Sequence, residues 1–239
     1  MTAVVLCTPS VEPPRWCGVA SWFRTQVPDP YAFRFIYELN KPLLEAQNSL
    51  VRRFLAEPDN EWMFMVEDDM VYLPGTLGRL LSWGEPVVSA LYFKRDQPHI
   101  PHVYRGDCGG GMFRIQIEET LAWLEAHREL ARPCHAMIEE RPADALAPVD
   151  FTGMGCVVIQ RRVLEAMRDP WFFIREGNGR TSDKYFYQEA IRLGFTPYVD
   201  RSVVCGHLAR DVQVAALDFI AYTHVVQFSE EESNGTGSE

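Results

Sequence analysis

Trp62-Met63-Phe64-Met65-Val66 runs without a polar residue straight into Glu67-Asp68-Asp69. Five consecutive apolar residues are the pattern of a strand covered on both faces, as the strands of parallel sheets are. Three carboxylates at the end of such a strand repel one another and need something cationic beside them. In open α/β sheets the ligand crevice lies outside the carboxyl ends of the strands. Hard oxygen donors there suit Mg²⁺ or Mn²⁺, which in turn grip a diphosphate. The plain alternative is an exposed acidic turn; the apolar run leading directly into the triplet favours the metal.

The flanking sequence extends this into an alternation of strands and helices. Ala3 to Cys7 reads as a short buried strand, and Val11 to Tyr31, rich in Pro and Trp, as an extended loop. From Pro42 the residues Leu43, Leu44, Leu50, Val51, Phe54 and Leu55 recur at helical steps, and Pro58 stops the helix. A short helix from Pro74 and a strand from Pro86 to Phe93 follow the triplet. The spacing predicts an α/β domain with a central, mainly parallel sheet flanked by helices. Residues 96 to 112 read as a loop or hairpin and Glu118 to Ala131 as a helix. Regularity returns with strands at 149–152 and 156–159 around Gly153-Met154-Gly155, a helix from Asp183 to Leu193, and two short strands at 196–199 and 202–205. One domain is expected over 1–228, followed by a disordered acidic tail at 229–239 that lacks aliphatic and aromatic residues.

Composition bounds the function. A hydrophobic fraction of 47% over 239 residues supplies a full core without help from disulfides or structural zinc. The net charge of −10 disfavours non-specific nucleic-acid binding, which needs clustered cations. None of the six cysteines has C-x-x-C spacing, and reduced core cysteines in a cytoplasmic protein are the expectation. No stretch reaches the roughly 18 apolar residues of a membrane span.

Several side chains near the ends of these elements have chemistry to offer. His207 follows an apolar strand and a Gly, where a lone His is more often a packing residue. Asp183 stands in the first turn of a helix, which the dipole favours and which would also keep a base ionised. Lys94 and Arg95 either lie on a diphosphate or end their strand in solvent. His99 and His102 have a ligand-like spacing, but Pro98 and Pro101 preclude a helix that would align them. Gly109-Gly110-Gly111 lacks the context of a phosphate loop and reads as flexible chain.

In order and spacing these segments resemble GT-A-type glycosyltransferases, nearest the broad family 2 group and its phage and bacterial relatives. Glu67-Asp68-Asp69 resembles the D-x-D-like motif, with Glu in place of the first Asp. Thr8-Pro9-Ser10 resembles the first nucleotide-contacting loop, and Ala46-Gln47-Asn48 the segment near the base, with Gln47 where the family has Arg. Thr152 to Gly155 resembles the acceptor-side loop, and Ser182-Asp183 the segment carrying the base of inverting members. The resemblance implies a metal, Mn²⁺ or Mg²⁺, on Asp69 and His207. It implies a nucleotide-sugar donor, UDP-sugars favoured, on Thr8, Pro9, Ser10, Asn48, Glu67, Asp68 and Lys94. The acceptor, of unspecified class, would meet Gly153, Met154 and Gly155, and Asp183 would be the base of an inverting, hexosyltransferase-type reaction. A sugar nucleotidylyltransferase is the alternative enzyme, although Thr8 to Gly18 lacks its Gly-rich basic loop. A non-catalytic nucleotide-sugar or glycan-binding module is the alternative outside catalysis.

Overall fold

A computed structural model describes residues 3–10, 16–22, 28–96, 99–106, 113–127, 141–174, 182–209 and 212–214. The expected tail at 229–239 and the Gly109-Gly110-Gly111 segment lie outside these residues. The described elements are, in chain order, β1 (Ala3–Ser10), α1 (Trp16–Trp22), β2 (Ala32–Leu39), α2 (Leu43–Ala56), β3 (Asn60–Val66), β4 (Met70–Val71) and α3 (Thr76–Leu81). They continue as β5 (Val87–Leu91), β6 (Val103–Tyr104), α4 (Phe113–Ala126), β7 (Leu146–Pro148), β8 (Phe151–Thr152) and β9 (Cys156–Gln160). The last are α5 (Arg161–Ala166), α6 (Ser182–Arg192), β10 (Pro197–Val204), β11 (Gly206–Ala209) and β12 (Val212–Val214).

Seven strands form the main sheet in the order β2-β1-β3-β9-β5-β10-β7. β1, β2, β3, β5 and β10 share one direction, while β9 and β7 run against them. The apolar run after Glu61 lies inside this sheet, between β1 and β9. Its residues alternate between two cores, which explains why none of them is polar. Met63 and Met65 pack with Leu50, Val51 and Phe54 of α2, Leu164 of α5 and Phe186 of α6. Trp62, Phe64 and Val66 pack on the opposite face with Leu77 and Leu80 of α3 and with Tyr72. Each fully buried side chain of this kind contributes about 1.5–3 kcal/mol.

Three expectations need correction. α1 occupies part of the stretch expected to be loop, and the chain then returns as β2, parallel to β1 over all eight residues. The helix expected at 118–131 starts five residues earlier, at Phe113, and ends at Ala126. The two short strands expected at 196–199 and 202–205 are one strand, β10, whose pairing with β5 shifts register between Asp200 and Val204. Asp200 accounts for that irregularity: it is buried and accepts from the Ser202 backbone, the Ser202 hydroxyl and the Trp83 indole. Beyond these, β4 follows the triplet directly and joins β11 and β12 in a small second sheet.

Candidate functional site

The triplet is a turn between two sheets. β3 ends at Val66, the Met70 N–H returns to the Glu67 carbonyl, and β4 then pairs antiparallel with β11, setting His207 opposite Met70. The Leu208 N–H donates to the Asp69 carbonyl at 2.7 Å, locking the late strand to the triplet. Gly18 lies against the outside of this turn. A Cβ there would stand 2.1 Å from the Asp68 carbonyl oxygen, so α1 can approach only through a glycine.

This ladder brings His207 to Asp69. His207 Nε2 is 3.5 Å from Asp69 Oδ2, and Arg95 Nη1 is 3.0 Å from the same oxygen. His207 Nδ1 lies 2.7 Å from the Phe93 carbonyl, which can only accept, so Nδ1 carries the hydrogen and Nε2 faces the carboxylate. A backbone carbonyl that fixes the tautomer is the usual support of a metal-ligating imidazole. A lone pair on Nε2 opposite a carboxylate oxygen requires a cation or proton between them, so the donor set fits a divalent ion. Among the described residues no group of three or more His, Cys, Asp or Glu is placed to hold a metal alone. Among the described residues the donors the site offers are Asp69 and His207.

The second half of the site comes from the Gly153-Met154-Gly155 turn between β8 and β9. The Gly155 carbonyl accepts from the Glu67 N–H and the Tyr72 hydroxyl, and the Gly155 N–H donates to the Tyr92 hydroxyl. A Cβ on Gly153 would stand 2.1 Å from that same hydroxyl oxygen, so the turn needs glycine for close approach. The Met154 N–H reaches Asp183 at the start of α6. Gln47 of α2 donates to Asp183 Oδ1 at 3.2 Å, while its own carbonyl oxygen accepts from the Ser182 hydroxyl at 2.7 Å. Burial pushes the Asp183 carboxyl up to about 6, against the hydrogen bonds from Gln47, Ser182 and Met154 that favour its charged form.

Glu67 lies within the field of both halves. Burial first, then the charges of Asp69 and Asp183, hold its carboxyl well above the ordinary carboxylate range. Asp68 is buried in the same turn, and Thr8 is buried near the end of β1. Pro9 and Ser10 complete that strand end, where the Thr8 hydroxyl donates to the Pro9 carbonyl. Of the two cations after β5, Arg95 reaches Asp69, whereas Lys94 stands 5.9 Å from the centre of the Tyr104 ring.

Asn48 departs from its expected role. Its amide nitrogen donates to the Leu44 and Phe172 carbonyls, and its oxygen accepts from the Trp171 and Phe172 N–H groups. Both donors and both lone pairs are thus committed to the backbone, leaving nothing to offer a base. Gln47, the departure from the family pattern, is the residue of that segment that touches the site. Sequence reasoning also set aside His102. Its ring centroid lies 5.1 Å from Tyr92 and 6.3 Å from His207, and burial, then the neighbouring His207, Lys94 and Arg95, depress its pKa to about 3. No helix is needed to bring it there: the His102 N–H bonds the Tyr92 carbonyl across a bend in which Phe93 and Pro101 pair.

The crystal structure of A197 from STIV superposes with a TM-score of 0.56, covering 91% of this chain and 92% of that one at 14% identity. The likeness shows a shared fold, a single α/β domain with a large, mostly parallel central sheet flanked by helices. The structure of S. aureus TarS aligns with 95% of this chain but only 39% of its own length, with a TM-score of 0.45 and 11% identity. No family model matches the sequence, and no curated protein matches it. Glu67, just after β3, lies within the field of Asp183 of α6, and the described helices include none long and apolar enough to cross a membrane.

Proposed function

We propose that this chain is a divalent-metal-dependent glycosyltransferase that moves a sugar from a nucleoside diphosphate sugar, UDP-sugars first, to an acceptor hydroxyl with inversion. The observation that carries this reading is that Asp69, beside His207, and Asp183, held by the Met154 N–H, both act on the buried carboxyl of Glu67. Asp69 and His207 would hold Mn²⁺ or Mg²⁺, which supplies charge to the leaving diphosphate as a Lewis acid. Arg95 and Lys94 add fixed positive charge on that side.

Asp183 suits the base. A carboxyl with a pKa near 6 is ionised at neutral pH yet basic enough to take a proton as it is released. Gln47 fixes the carboxylate through Oδ1, in a bond that itself rests on Ser182. As the acceptor oxygen bonds to the anomeric carbon, its proton passes to Asp183 and the bond to the phosphate oxygen breaks with its electron pair. The acceptor would approach Asp183 along the Gly153–Gly155 turn, whose Met154 N–H holds the carboxylate. Burial and the neighbouring charges of Asp69 and Asp183 hold the Glu67 carboxyl well above the ordinary carboxylate range, which ties it electrostatically to both.

The test is a thermal-shift panel of nucleoside diphosphates with and without Mn²⁺, run beside donor-hydrolysis assays on Asp69→Ala and His207→Ala. The reading expects metal-dependent stabilisation of the wild type and its loss in both folded variants. Full turnover by Asp69→Ala with the metal chelated would sink it. Stabilisation without any donor turnover would instead fit a binding module, and pyrophosphate release from a sugar-1-phosphate and a nucleoside triphosphate would fit a nucleotidylyltransferase.

A further inference from the structure

His102 is held firmly in place, yet its ring bonds nothing. Its backbone N–H donates to the Tyr92 carbonyl at 2.9 Å. The next residue, Val103, pairs with Thr152, the residue before Gly153. The chain is thus tied on both sides, and the imidazole is set among other rings. The Tyr92 ring centre is 5.1 Å away, that of Tyr104 6.2 Å and that of His207 6.3 Å. Tyr104 is itself fixed by stacking on Phe151 at 4.0 Å. Among the described residues neither ring nitrogen of His102 has a hydrogen-bond partner, and the residue is partly exposed. A ring that only packs needs no nitrogens, and polar atoms held in a fixed, half-buried place call for a partner.

The place of the ring selects that partner. On one side stands His207, whose Nε2 is 3.5 Å from Asp69. On the other is the Gly153–Gly155 turn: a Cβ on Gly153 would stand 3.6 Å from His102 Nδ1. The same turn holds Asp183 through the Met154 N–H. In the transfer reaction proposed above, the diphosphate lies on the Asp69 side and the acceptor on the Asp183 side. The group that must touch both is the sugar in transit. An imidazole at neutral pH offers one N–H and one lone pair, and a hydroxyl likewise both donates and accepts. Phosphate oxygens only accept. Resting on that reaction, we propose that His102 is a specificity-determining residue whose ring hydrogen-bonds a hydroxyl of the transferred sugar. A site built to pair with a hydroxyl discriminates against donors that lack it or turn it away.

The test is calorimetry on the full chain with Mn²⁺, comparing UDP with UDP-glucose, UDP-galactose, UDP-N-acetylglucosamine and UDP-N-acetylgalactosamine. His102→Phe keeps a ring in place and removes its nitrogens, so its melting temperature should be unchanged or higher, as no protein hydrogen bond is lost. Its affinity for UDP should stay within about twofold of the wild type, while that for the preferred UDP-sugar falls about tenfold and the ranking of the sugars flattens. His102→Gln, which keeps a donor and an acceptor, should retain part of the preference. His102→Ala, with the losses expected of His102→Phe, carries the test should the larger ring not fit. Equal loss of UDP and UDP-sugar overturns the proposal and puts His102 on the nucleotide or the metal. An unchanged sugar ranking in His102→Phe overturns it too and leaves the ring a packing role. So does a wild type that binds UDP but gains nothing from any of the sugars. A wild type that binds neither UDP nor the UDP-sugars removes the proposed transfer reaction itself, and the role of His102 with it.

Discussion

Replacing Asp183 with Asn separates the cost of the buried carboxylate from its use. The folded protein raises this pKa from 3.8 to about 6, which corresponds to about 3 kcal/mol of unfavourable free energy when the group is charged. Below pH 3.8 the group is protonated in folded and unfolded chains alike and costs nothing. The penalty grows as pH rises between the two values and is complete above about 6. Asn carries no charge and keeps an oxygen to accept from the Gln47 amide and the Met154 N–H. Asp183→Asn should therefore stabilise the fold at pH 8 by up to about 3 kcal/mol, roughly 6–12 °C in melting temperature for a chain of this size. The gain should shrink towards zero near pH 4. Thermal melts of both proteins across that range read the difference directly. Sugar transfer by the variant should fall about 10²-fold or more, the usual share of a general base, and the wild-type rate should rise with pH through about 6. A stability gain that is the same at pH 4 and pH 8, or a variant that keeps the wild-type rate at pH 7, would refute the reasoning.

Asn48→Ala should cost about 2–4 kcal/mol in denaturant unfolding, because it strands the buried Phe172 carbonyl and the buried Trp171 and Phe172 N–H groups. Its nucleotide affinity, measured at a temperature where it is folded, should match the wild type. Gly153→Ala sets a methyl 2.1 Å from the Tyr92 hydroxyl oxygen and should destabilise by about 1–3 kcal/mol. Tyr92→Phe removes that oxygen, so the double variant should lose less than the two single losses combined. Arg95→Ala should weaken nucleoside diphosphate binding roughly tenfold, about 1.4 kcal/mol by calorimetry. Lys94→Ala should do less, since Arg95 is the cation that reaches Asp69.

The fold was legible where burial left a mark on residue types. β3 lies between two cores and so contains no polar residue from Trp62 to Val66. α2 carries its apolar stripe for the same reason. β2 was missed because an edge strand open to solvent shows no continuous apolar run. Its signal was the alternation Phe33, Phe35, Tyr37 against Arg34, Ile36, Glu38. β10 reads as two strands because a buried Asp200, paired with Ser202 and Trp83, interrupts its apolar pattern without ending the strand.

By itself the sequence determined that acidic groups end a buried strand of an α/β sheet, since only burial on both faces accounts for the run before Glu67. It also marked Asp183 and His207 as groups with chemistry to offer. Which groups meet was decided by tertiary structure alone. β11 pairs with β4 and so carries His207 across 138 positions of chain to Asp69, a contact that no local pattern encodes. Packing of α2 against the start of α6 gives Gln47 to Asp183 and turns Asn48 inward, although the two are adjacent in sequence. A bend closed by the pair Phe93–Pro101 brings His102 beside His207, although the prolines preclude the helix that would align it with His99. Side-chain identity is local, but the partner that gives a carboxylate or an imidazole its charge and its task is set by contacts distant in the chain.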